Sequence, residues 1–210
     1  MDLDIKNCYS NIAKDFSKTR FTVWKGVRDF LDTVTVNSNV GDIGCGNGKN
    51  MLYRKDDINY YGIDICPEFV EICKSRMLNV NLGNILNISY DDNFFDHVMS
   101  IAVIHHFYDI KDRIKAISEL TRICKVGGKI LIYVWSYNQY EDSKRKFVSK
   151  DEMVPFHIPN SSTGEVFYRY YHLYDTEELL NEINTVKNIK IIKHFNEKNN
   201  ECVIIQKIWH

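Results

Sequence analysis

The sequence lacks the features that mark membrane-spanning, secreted or zinc-binding chains. Its six cysteines include no C-x-x-C pair, so neither a zinc site nor a disulfide framework is predicted. Reduced thiols in a cytosolic or nuclear protein are the simple interpretation. No apolar run approaches the roughly 20 residues that a membrane helix needs. The N-terminus, MDLDIK, has neither the basic start nor the apolar stretch of a signal peptide.

An excess of either charge is also missing. The 27 Lys and Arg residues face 28 Asp and Glu residues, which leaves a net charge of −1. A protein that grips nucleic acid through its overall field is expected to be basic. Any contact with RNA must therefore use local patches or a partner protein. Candidate patches, which could equally be solvated faces, are Lys144–Lys146 with Lys150, and Lys111, Arg113 and Lys115.

The most informative segment that is present is glycine-rich. From Asp42 to Gly48 it reads D-x-G-x-G-x-G, directly after a short apolar run. Closely spaced glycines let a chain turn sharply and bring its backbone against a ligand. A dinucleotide fingerprint, G-x-G-x-x-G, is excluded because Lys49 occupies the third glycine position. A phosphate P-loop is excluded because Ile43 stands where its first glycine is required.

What remains resembles the cofactor loop of class I S-adenosylmethionine (SAM) methyltransferases. The resemblance implies that Asp42 accepts a hydrogen bond from the amino group of SAM, and that the glycines admit its methionyl part. Asp64 ends the next strand, 22 residues later, where an acidic residue can hold the ribose hydroxyls; a helix cap is the alternative. The full predicted cofactor set is Asp42, Gly44, Gly46, Gly48, Asp64, Ile65, Asn84, Ile85 and Ile101. Asn84 and Ile85 would meet the adenine, and Ile101 would lie beneath the transferred methyl.

Strand and helix signals alternate along the chain. Strands are predicted at Asn39–Ile43, Asn59–Ile63, Leu78–Leu82, Phe95–Ala102, Lys129–Trp135, Asn188–Phe195 and Cys202–Ile208. Helices are predicted at 3–17, Trp24–Asp32, Gly48–Arg54, Pro67–Arg76, Ile110–Cys124 and Thr176–Ile183. Gly127 and Gly128 are expected to end the long helix Ile110–Cys124, and residues 136–170 are expected to form a long polar loop.

This alternation predicts an α/β fold with a parallel sheet covered by helices on both faces. The last two strands are joined by a short turn and must be antiparallel. A seven-stranded, mostly parallel sheet that ends in a hairpin resembles the Rossmann-like class I methyltransferase fold. We expect one domain, residues 1–210, with N-terminal helices in 1–35 and an acceptor-side insertion at about 136–174. Ligands should bind at the carboxyl ends of the strands.

Several further segments carry a narrower resemblance. They are YSNIAKDFSKTRF from Tyr9 to Phe21, SIAVIHHF from Ser100 to Phe107, IYVW ending at Trp135, VPF at 154–156 and YRYYHLY from Tyr168 to Tyr174. Together they resemble the eukaryotic tRNA wobble-uridine carboxyl methyltransferases over roughly residues 9–183. That family converts 5-carboxymethyluridine to its methyl ester. Lys25 departs from the family, which usually has proline after the tryptophan.

The chemistry of such an acceptor explains the residue types. A carboxyl group with a pKa of about 4 is already ionised at neutral pH, so it needs positioning and exclusion of water rather than a base. We expect Arg20 and Arg169 to hold the carboxylate or an adjacent phosphate, because arginine suits bidentate binding of oxyanions. His106 would orient the acceptor and Trp135 would wall or stack the uracil.

His105, Tyr170 and His172 complete the predicted acceptor set. A structural role is the ordinary alternative for a histidine, a tryptophan or a tyrosine in such positions. If 168–174 is extended, Arg169 points away from Tyr170 and His172, which ranks those two lower.

The resemblance also implies partners, a tRNA anticodon loop and a small zinc-containing activator protein. Leu78–Leu82 is expected at a sheet edge, where unpaired strands invite another chain. No membrane and no metal site in this chain are predicted. Two alternatives stay open: a methyltransferase for a small carboxylic acid, and a catalytically silent SAM-binding regulator.

Overall fold

The structure, a computed structural model, describes residues 2–141, 143, 145–158 and 164–209. Lys144 of the predicted basic patch lies outside the described residues. The α-helices of these described residues are Asp2–Thr19 (α1), Lys25–Asp32 (α2), Pro67–Ser75 (α3), Ile110–Ile123 (α4) and Thr176–Asn184 (α5). The strands are Asn39–Ile43 (β1), Asn59–Asp64 (β2), Val80–Leu82 (β3), Phe95–Ile101 (β4), Cys124–Trp135 (β5), Asp151–His157 (β6), Val166–His172 (β7), Ile189–Glu197 (β8) and Asn200–Lys207 (β9).

Seven strands form one sheet in the order β3-β2-β1-β4-β5-β9-β8. The strands from β3 to β5 pair in parallel, and β9 runs antiparallel to both β5 and β8. This confirms the predicted fold class, including the C-terminal hairpin and the position of β3 at an edge. After β1 the chain adds β2 and β3 on one side of β1, and it then adds β4 on the other side. This change of direction is a topological switch point, and the crevice at the carboxyl ends of β1 and β4 is where such sheets bind ligands.

Both faces of the sheet are covered. One buried cluster packs α4 and α5 against the sheet through Ile117, Leu120 and Leu179. The other packs α2 and α3 through residues that include Phe30 and Val70. The central strands are buried on both sides, which is why they read as apolar runs rather than as alternating patterns.

Two local predictions are wrong. The glycine loop leads into a single 3₁₀ turn, Asn50–Leu52, and not into a helix over Gly48–Arg54. Gly48 at φ +74° and Arg54 at φ +54° are left-handed, which a continuing α-helix does not permit. The helix α4 stops at Ile123 and β5 starts at once, so the Gly127–Gly128 pair lies within β5 and does not end the helix.

The segment predicted as a polar loop contains a β-hairpin instead. Strands β6 and β7 pair antiparallel, with Val154 opposite Arg169, and form a second sheet. Val154 and Phe156 are buried on the face of β6 that turns inward. Helix α1 packs against both β7 and α3, so the hairpin and α1 meet above the main sheet.

Across the part of the chain described here, helices that combine the length and the apolar character needed to cross a bilayer are absent.

Candidate active site

One cavity opens at the carboxyl ends of β1, β2, β4 and β5, where the sheet topology predicts a ligand. Residues of α1 and β7 cover it from above. Predicted site residues among its lining are Gly44, Gly46, Asp64, Ile65, Asn84, Ile85, Ile101, Arg20, His106, Trp135 and Arg169. The cavity therefore brings together segments from nearly the whole length of the chain.

Asp42 lies near the carboxyl end of β1, is fully buried and is not itself part of the cavity lining. Among the described residues, neither of its carboxylate oxygens has a hydrogen-bond partner. Burial, and then the charge of Asp64, raise the pKa of Asp42 from 3.8 to about 7. A buried carboxylate without a hydrogen-bond partner is costly, and a cationic ligand in the cavity would compensate it. The amino group of SAM is such a cation.

The three glycines serve different purposes. Gly44, at φ +80°, leaves room for Val103, whose Cγ2 would lie 2.3 Å from an added Cβ. Gly46, at φ +53°, lines the cavity, and an added Cβ would meet nothing within 4 Å. Gly48 was predicted to bind cofactor, but it is packed under Leu78 and Cys73 and does not line the cavity. Its role is to let the loop pack on α3.

Asp64 is held by the backbone around it. Its Oδ2 accepts a hydrogen bond from Gly46 N at 2.7 Å, and its Oδ1 accepts one from Cys66 N at 2.9 Å. Burial raises the pKa of Asp64 to about 6, against the lowering effect of these bonds. Each oxygen keeps a second lone pair, so the carboxylate can still accept from a diol. It also secures the glycine loop to the end of β2.

The adenine end of the predicted site is apolar with one amide. Ile85 is buried beside Asn84, whose Oδ1 accepts from Leu86 N at 2.8 Å. Ile101 lines the opposite wall. The orphaned carboxylate of Asp42, the diol-capable Asp64 and this apolar end fit the three parts of SAM.

Arg169 is the most unusual cation of the site. It is 2% exposed, and four aromatic rings surround its guanidinium at 5.3–6.0 Å. Its Nη1 donates to the hydroxyl of Tyr9 at 3.4 Å. Within the described ranges, its Nε and Nη2 have no acceptor. A buried guanidinium with free donors and no carboxylate is a strong attractor for an oxyanion.

His106 sits in the cavity wall with both ring nitrogens engaged. Its Nδ1 lies 2.8 Å from the carbonyl oxygen of Tyr170, and its Nε2 lies 3.1 Å from the hydroxyl of Tyr9. A carbonyl only accepts, so Nδ1 carries the proton. Burial lowers the pKa of His106 to about 3, so the ring is neutral and Nε2 accepts from Tyr9. His106 lines the cavity, as its predicted role in orienting the acceptor requires, but both its ring nitrogens are already engaged by protein groups.

His105 and Trp135 are coupled through the backbone. His105 is fully buried and its Nδ1 accepts from Trp135 N at 3.0 Å. Burial, followed by the charge of His106, holds the pKa of His105 well below its usual range. The ring of Tyr171 stacks on His105 and lies 4.4 Å from that of Trp135. Trp135 thus forms a cavity wall, and His105 supports the end of β5 behind it.

Tyr170 and His172 point away from the cavity, because β7 is extended and its side chains alternate. The hydroxyl of Tyr170 donates to Asp151. His172 lies between the carboxylates of Asp151 and Glu178, at 3.0 and 2.8 Å. Their predicted place among the acceptor residues is therefore wrong for the side chains. Only the carbonyl of Tyr170 serves the site.

Behind β7, His172, Glu178 and Glu182 approach closely enough to share a cation. That position already contains one. The Nη2 of Arg113 lies 2.7 Å from Glu182 Oε1 and 3.8 Å from Glu178 Oε1. The group is a buried ion network that ties the hairpin and α4 to α5.

Arg20 lines the cavity on the side of the glycine loop. Its guanidinium lies 5.0 Å from the ring of Phe16, and its Nη1 donates to Thr19 Oγ1 at 2.8 Å. Its carbonyl accepts from Asn47 Nδ2 at 2.8 Å, which joins α1 to the loop. The guanidinium groups of Arg20 and Arg169 thus both lie against the ring of Phe16, at 5.0 and 6.0 Å from its centroid.

Sequence reasoning did not assign Tyr9 or Tyr171 to the site. Both line the cavity and surround Arg169. Tyr171 could have been found from the alternation of β7, since it shares a face with Arg169. Tyr9 offered no such signal, because its contacts depend on the docking of α1.

Comparisons with known proteins identify the relatives of this chain. A family model described as "Methyltransferase domain" matches residues 41–132. The fission yeast (Schizosaccharomyces pombe) tRNA (carboxymethyluridine(34)-5-O)-methyltransferase is 34% identical, over 97% of this chain and 96% of that protein. The Xenopus tropicalis tRNA (carboxymethyluridine(34)-5-O)-methyltransferase alkbh8 is 30% identical over 97% of this chain, which spans only 41% of that relative.

Solved structures match the fold. A SAM-dependent methyltransferase from Methanosarcina mazei has a TM-score of 0.67 at 18% identity, with 90% of this chain and 99% of that one covered. A putative methyltransferase in complex with the Haloferax volcanii Trm112 methyltransferase activator has a TM-score of 0.68 at 16% identity, with 98% of each chain covered.

Proposed function

Because the chain belongs to the family of tRNA (carboxymethyluridine(34)-5-O)-methyltransferases, we propose that it methylates the carboxylate of 5-carboxymethyluridine at the tRNA wobble position. SAM is the methyl donor of this fold and family. The product is the methyl ester.

The observation that carries the proposal is the state of Arg169. A guanidinium that is 2% exposed, with Nε and Nη2 lacking acceptors among the described residues, calls for an anion in the cavity. A carboxylate of the acceptor provides two oxygens for these two donors. A neutral acceptor would leave the cation buried and uncompensated.

The chain's residues would act by binding and orientation. SAM supplies an electrophilic methyl group on its sulfonium. Asp42 holds the cofactor by its amino group, Asp64 by its ribose, and Arg169 holds the acceptor carboxylate. Aromatic walls, with Trp135 on one side, exclude water that would screen these charges. No side chain has to remove a proton, because the carboxylate is already ionised.

The proposal is tested with an anticodon stem-loop RNA that carries 5-carboxymethyluridine. Tritium from the methyl group of SAM should enter this RNA and should be released as methanol by mild alkali. The same RNA with plain uridine is the control. Label that enters but resists alkali would contradict ester formation. Methylation of a small carboxylic acid with none in RNA would favour the first alternative.

Arg169 variants test the role of this residue, and they also test the alternative that the chain is a catalytically silent SAM-binding regulator. Arg169→Gln removes the charge and the pair of donors and should lower the rate by at least the worth of one charged hydrogen bond, about 10- to 150-fold, while SAM affinity stays unchanged. Arg169→Lys keeps the charge but not the planar fork, so its rate should lie between those of Arg169→Gln and the unchanged protein. Equal rates for all three proteins would overturn the assignment, and SAM binding without turnover on any acceptor would indicate a regulator.

We further propose a small activator protein at the free edge of β3, and we keep its zinc as a prediction. Support comes from exposed apolar side chains at that edge: Met77 is 91% exposed and Leu82 is 56% exposed. A structural neighbour was solved with the Trm112 activator. Leu82→Arg should reduce co-purification with such a partner, whereas Ile192→Arg, on the opposite edge strand β8, should not. An equal effect of both would argue against the β3 edge.

A cytosolic or nuclear location is part of the same proposal. All six cysteines are free and buried, as expected where thiols stay reduced. Imaging of a tagged full-length protein tests it, and a signal in a secretory compartment would contradict it.

A further inference from the structure

A chain of hydrogen bonds joins Arg169 to the body of the protein through Tyr9. The Nη1 of Arg169 donates to the Tyr9 hydroxyl at 3.4 Å, and that hydroxyl lies 3.1 Å from Nε2 of His106. His106 Nδ1 in turn lies 2.8 Å from the carbonyl oxygen of Tyr170. This series of hydrogen bonds starts and ends on β7, and it passes through α1 and the turn after β4.

The direction of each bond follows from its ends. The carbonyl of Tyr170 can only accept, so His106 carries its proton on Nδ1 and offers a lone pair on Nε2. The Tyr9 hydroxyl must then donate to His106. Its oxygen lone pairs are left for Arg169, which can only donate. Burial raises the pKa of the Tyr9 hydroxyl well above its ordinary value, so it keeps the proton that this pattern requires.

Among the described residues, the guanidinium of Arg169 is only partly hydrogen-bonded. Of its three nitrogens, only Nη1 is engaged, and Nε and Nη2 have no acceptor within the described chain. The four surrounding rings restrict where the group can lie but offer no directional contact of hydrogen-bond quality. Among the described residues, the Tyr9 hydroxyl is the acceptor to which this guanidinium donates, and with the neighbouring Tyr171 it restrains the rotation of the planar fork.

We propose that Tyr9 is a positioning residue for the acceptor carboxylate: its hydroxyl, held by His106, fixes Arg169 by Nη1 and reserves Nε and Nη2 for the substrate. This inference rests on the function proposed above. It gives the predicted orienting role of His106 a route, through the Tyr9 hydroxyl. It also makes α1 part of the acceptor site as well as its cover.

The central experiment compares Tyr9→Phe with the unchanged protein, each saturated with S-adenosylhomocysteine. Two anticodon stem-loop RNAs are titrated, one with 5-carboxymethyluridine and one with its neutral 5-carbamoylmethyl analogue. Loss of the hydroxyl should reduce the preference for the carboxylate RNA about tenfold, the size expected for one hydrogen bond at a charged group. Affinity for the amide RNA and for the cofactor should stay within about twofold.

A merely structural role of the hydroxyl predicts a different result. General loosening of α1 would weaken both RNAs and the cofactor together, and this outcome would overturn the proposal. Tyr108→Phe is the matched control, because Tyr108 is 61% exposed and lies outside the cavity lining. Thermal melting of each variant confirms that it is folded.

A double-mutant comparison tests the role of His106. If His106 acts through the Tyr9 hydroxyl, His106→Phe should cost nothing further in turnover once Tyr9 is phenylalanine. If the two substitutions together reduce turnover by the product of their separate effects, His106 has a separate role and does not act through the Tyr9 hydroxyl.

Failure of the proposed function gives a separate signature. If the unchanged protein binds the carboxylate RNA with a preference that Tyr9 controls but does not methylate it, the function is wrong and the positioning role stands. If methylation occurs and Tyr9→Phe retains the full carboxylate preference, the positioning role is wrong. If neither RNA binds, both fall.

Discussion

Replacement of Asp42 by asparagine separates the demands of cofactor binding from those of stability. Asp42 is buried, and both its oxygens lack partners among the described residues. Its pKa rises from 3.8 to about 7 on folding. At about 1.4 kcal/mol for each pKa unit, the ionised carboxylate destabilises the ligand-free protein by about 4 kcal/mol above pH 7.

The sign of the pH dependence follows from the raised pKa. The folded state binds this proton more tightly than the unfolded state, so the stabilising effect is full below pH 3.8 and is lost as the pH rises through about 7. Asparagine removes the charge but leaves a buried amide, which costs about 1–3 kcal/mol. Asp42→Asn should therefore stabilise the ligand-free protein at pH 8 by about 1–3 kcal/mol, or roughly 2–12 °C in melting temperature.

Thermal unfolding followed by circular dichroism at pH 5 and pH 8 measures the effect. The difference in stability between the two pH values should shrink in the variant, and added S-adenosylhomocysteine should raise its melting temperature much less than that of the unchanged protein. Asp91→Asn, at an exposed position, is the control. The reasoning is refuted if Asp42→Asn melts lower at pH 8, or if the ligand stabilises it fully.

Other substitutions test the loop and the buried ion network. Gly48→Ala should destabilise the protein by about 2–4 kcal/mol in urea unfolding, because its φ is +74° and the new Cβ would lie 2.4 Å from Leu78 Cδ1. Gly46→Ala, with open space around it, should cost only about 1–2 kcal/mol in stability but should weaken SAM binding by calorimetry; the reverse order would contradict the separate roles. Glu182→Ala leaves the buried Arg113 without its 2.7 Å partner and should cost about 3–5 kcal/mol, and a loss under 1 kcal/mol in the same assay would show that the pair is not important for stability.

Local patterns predicted much of this molecule. The alternation of apolar runs and helices gave the parallel sheet, since each central strand must be buried on both faces. The spacing from Asp42 to Asp64 placed two carboxylates at the ends of neighbouring strands. The alternation of side chains in an extended β7 ranked Arg169 above His172, and the structure puts them on opposite faces of that strand.

The errors arose where neighbours in space override the local sequence. The polar segment around β6 and β7 has a weak strand signal, and its buried face exists because α1 covers it. Gly48 looks like its neighbours in the motif, but its environment is α3 and not the ligand. These distinctions depend on packing that no short window of sequence contains.

The sequence alone determined the class of fold and the kind of cofactor, and it predicted the residue types that line the cavity, because strand period, glycine spacing and charge are local properties. Only the tertiary structure decided which groups act together. Tyr9 lies 97 residues from His106 and 160 from Arg169, and nothing in its own segment indicates either contact. Their meeting depends on how α1 docks between α3 and the hairpin. The same burial leaves the Asp42 carboxylate and the Nε and Nη2 of Arg169 without hydrogen-bond partners among the described residues, and a zwitterionic cofactor and an anionic acceptor would complete them.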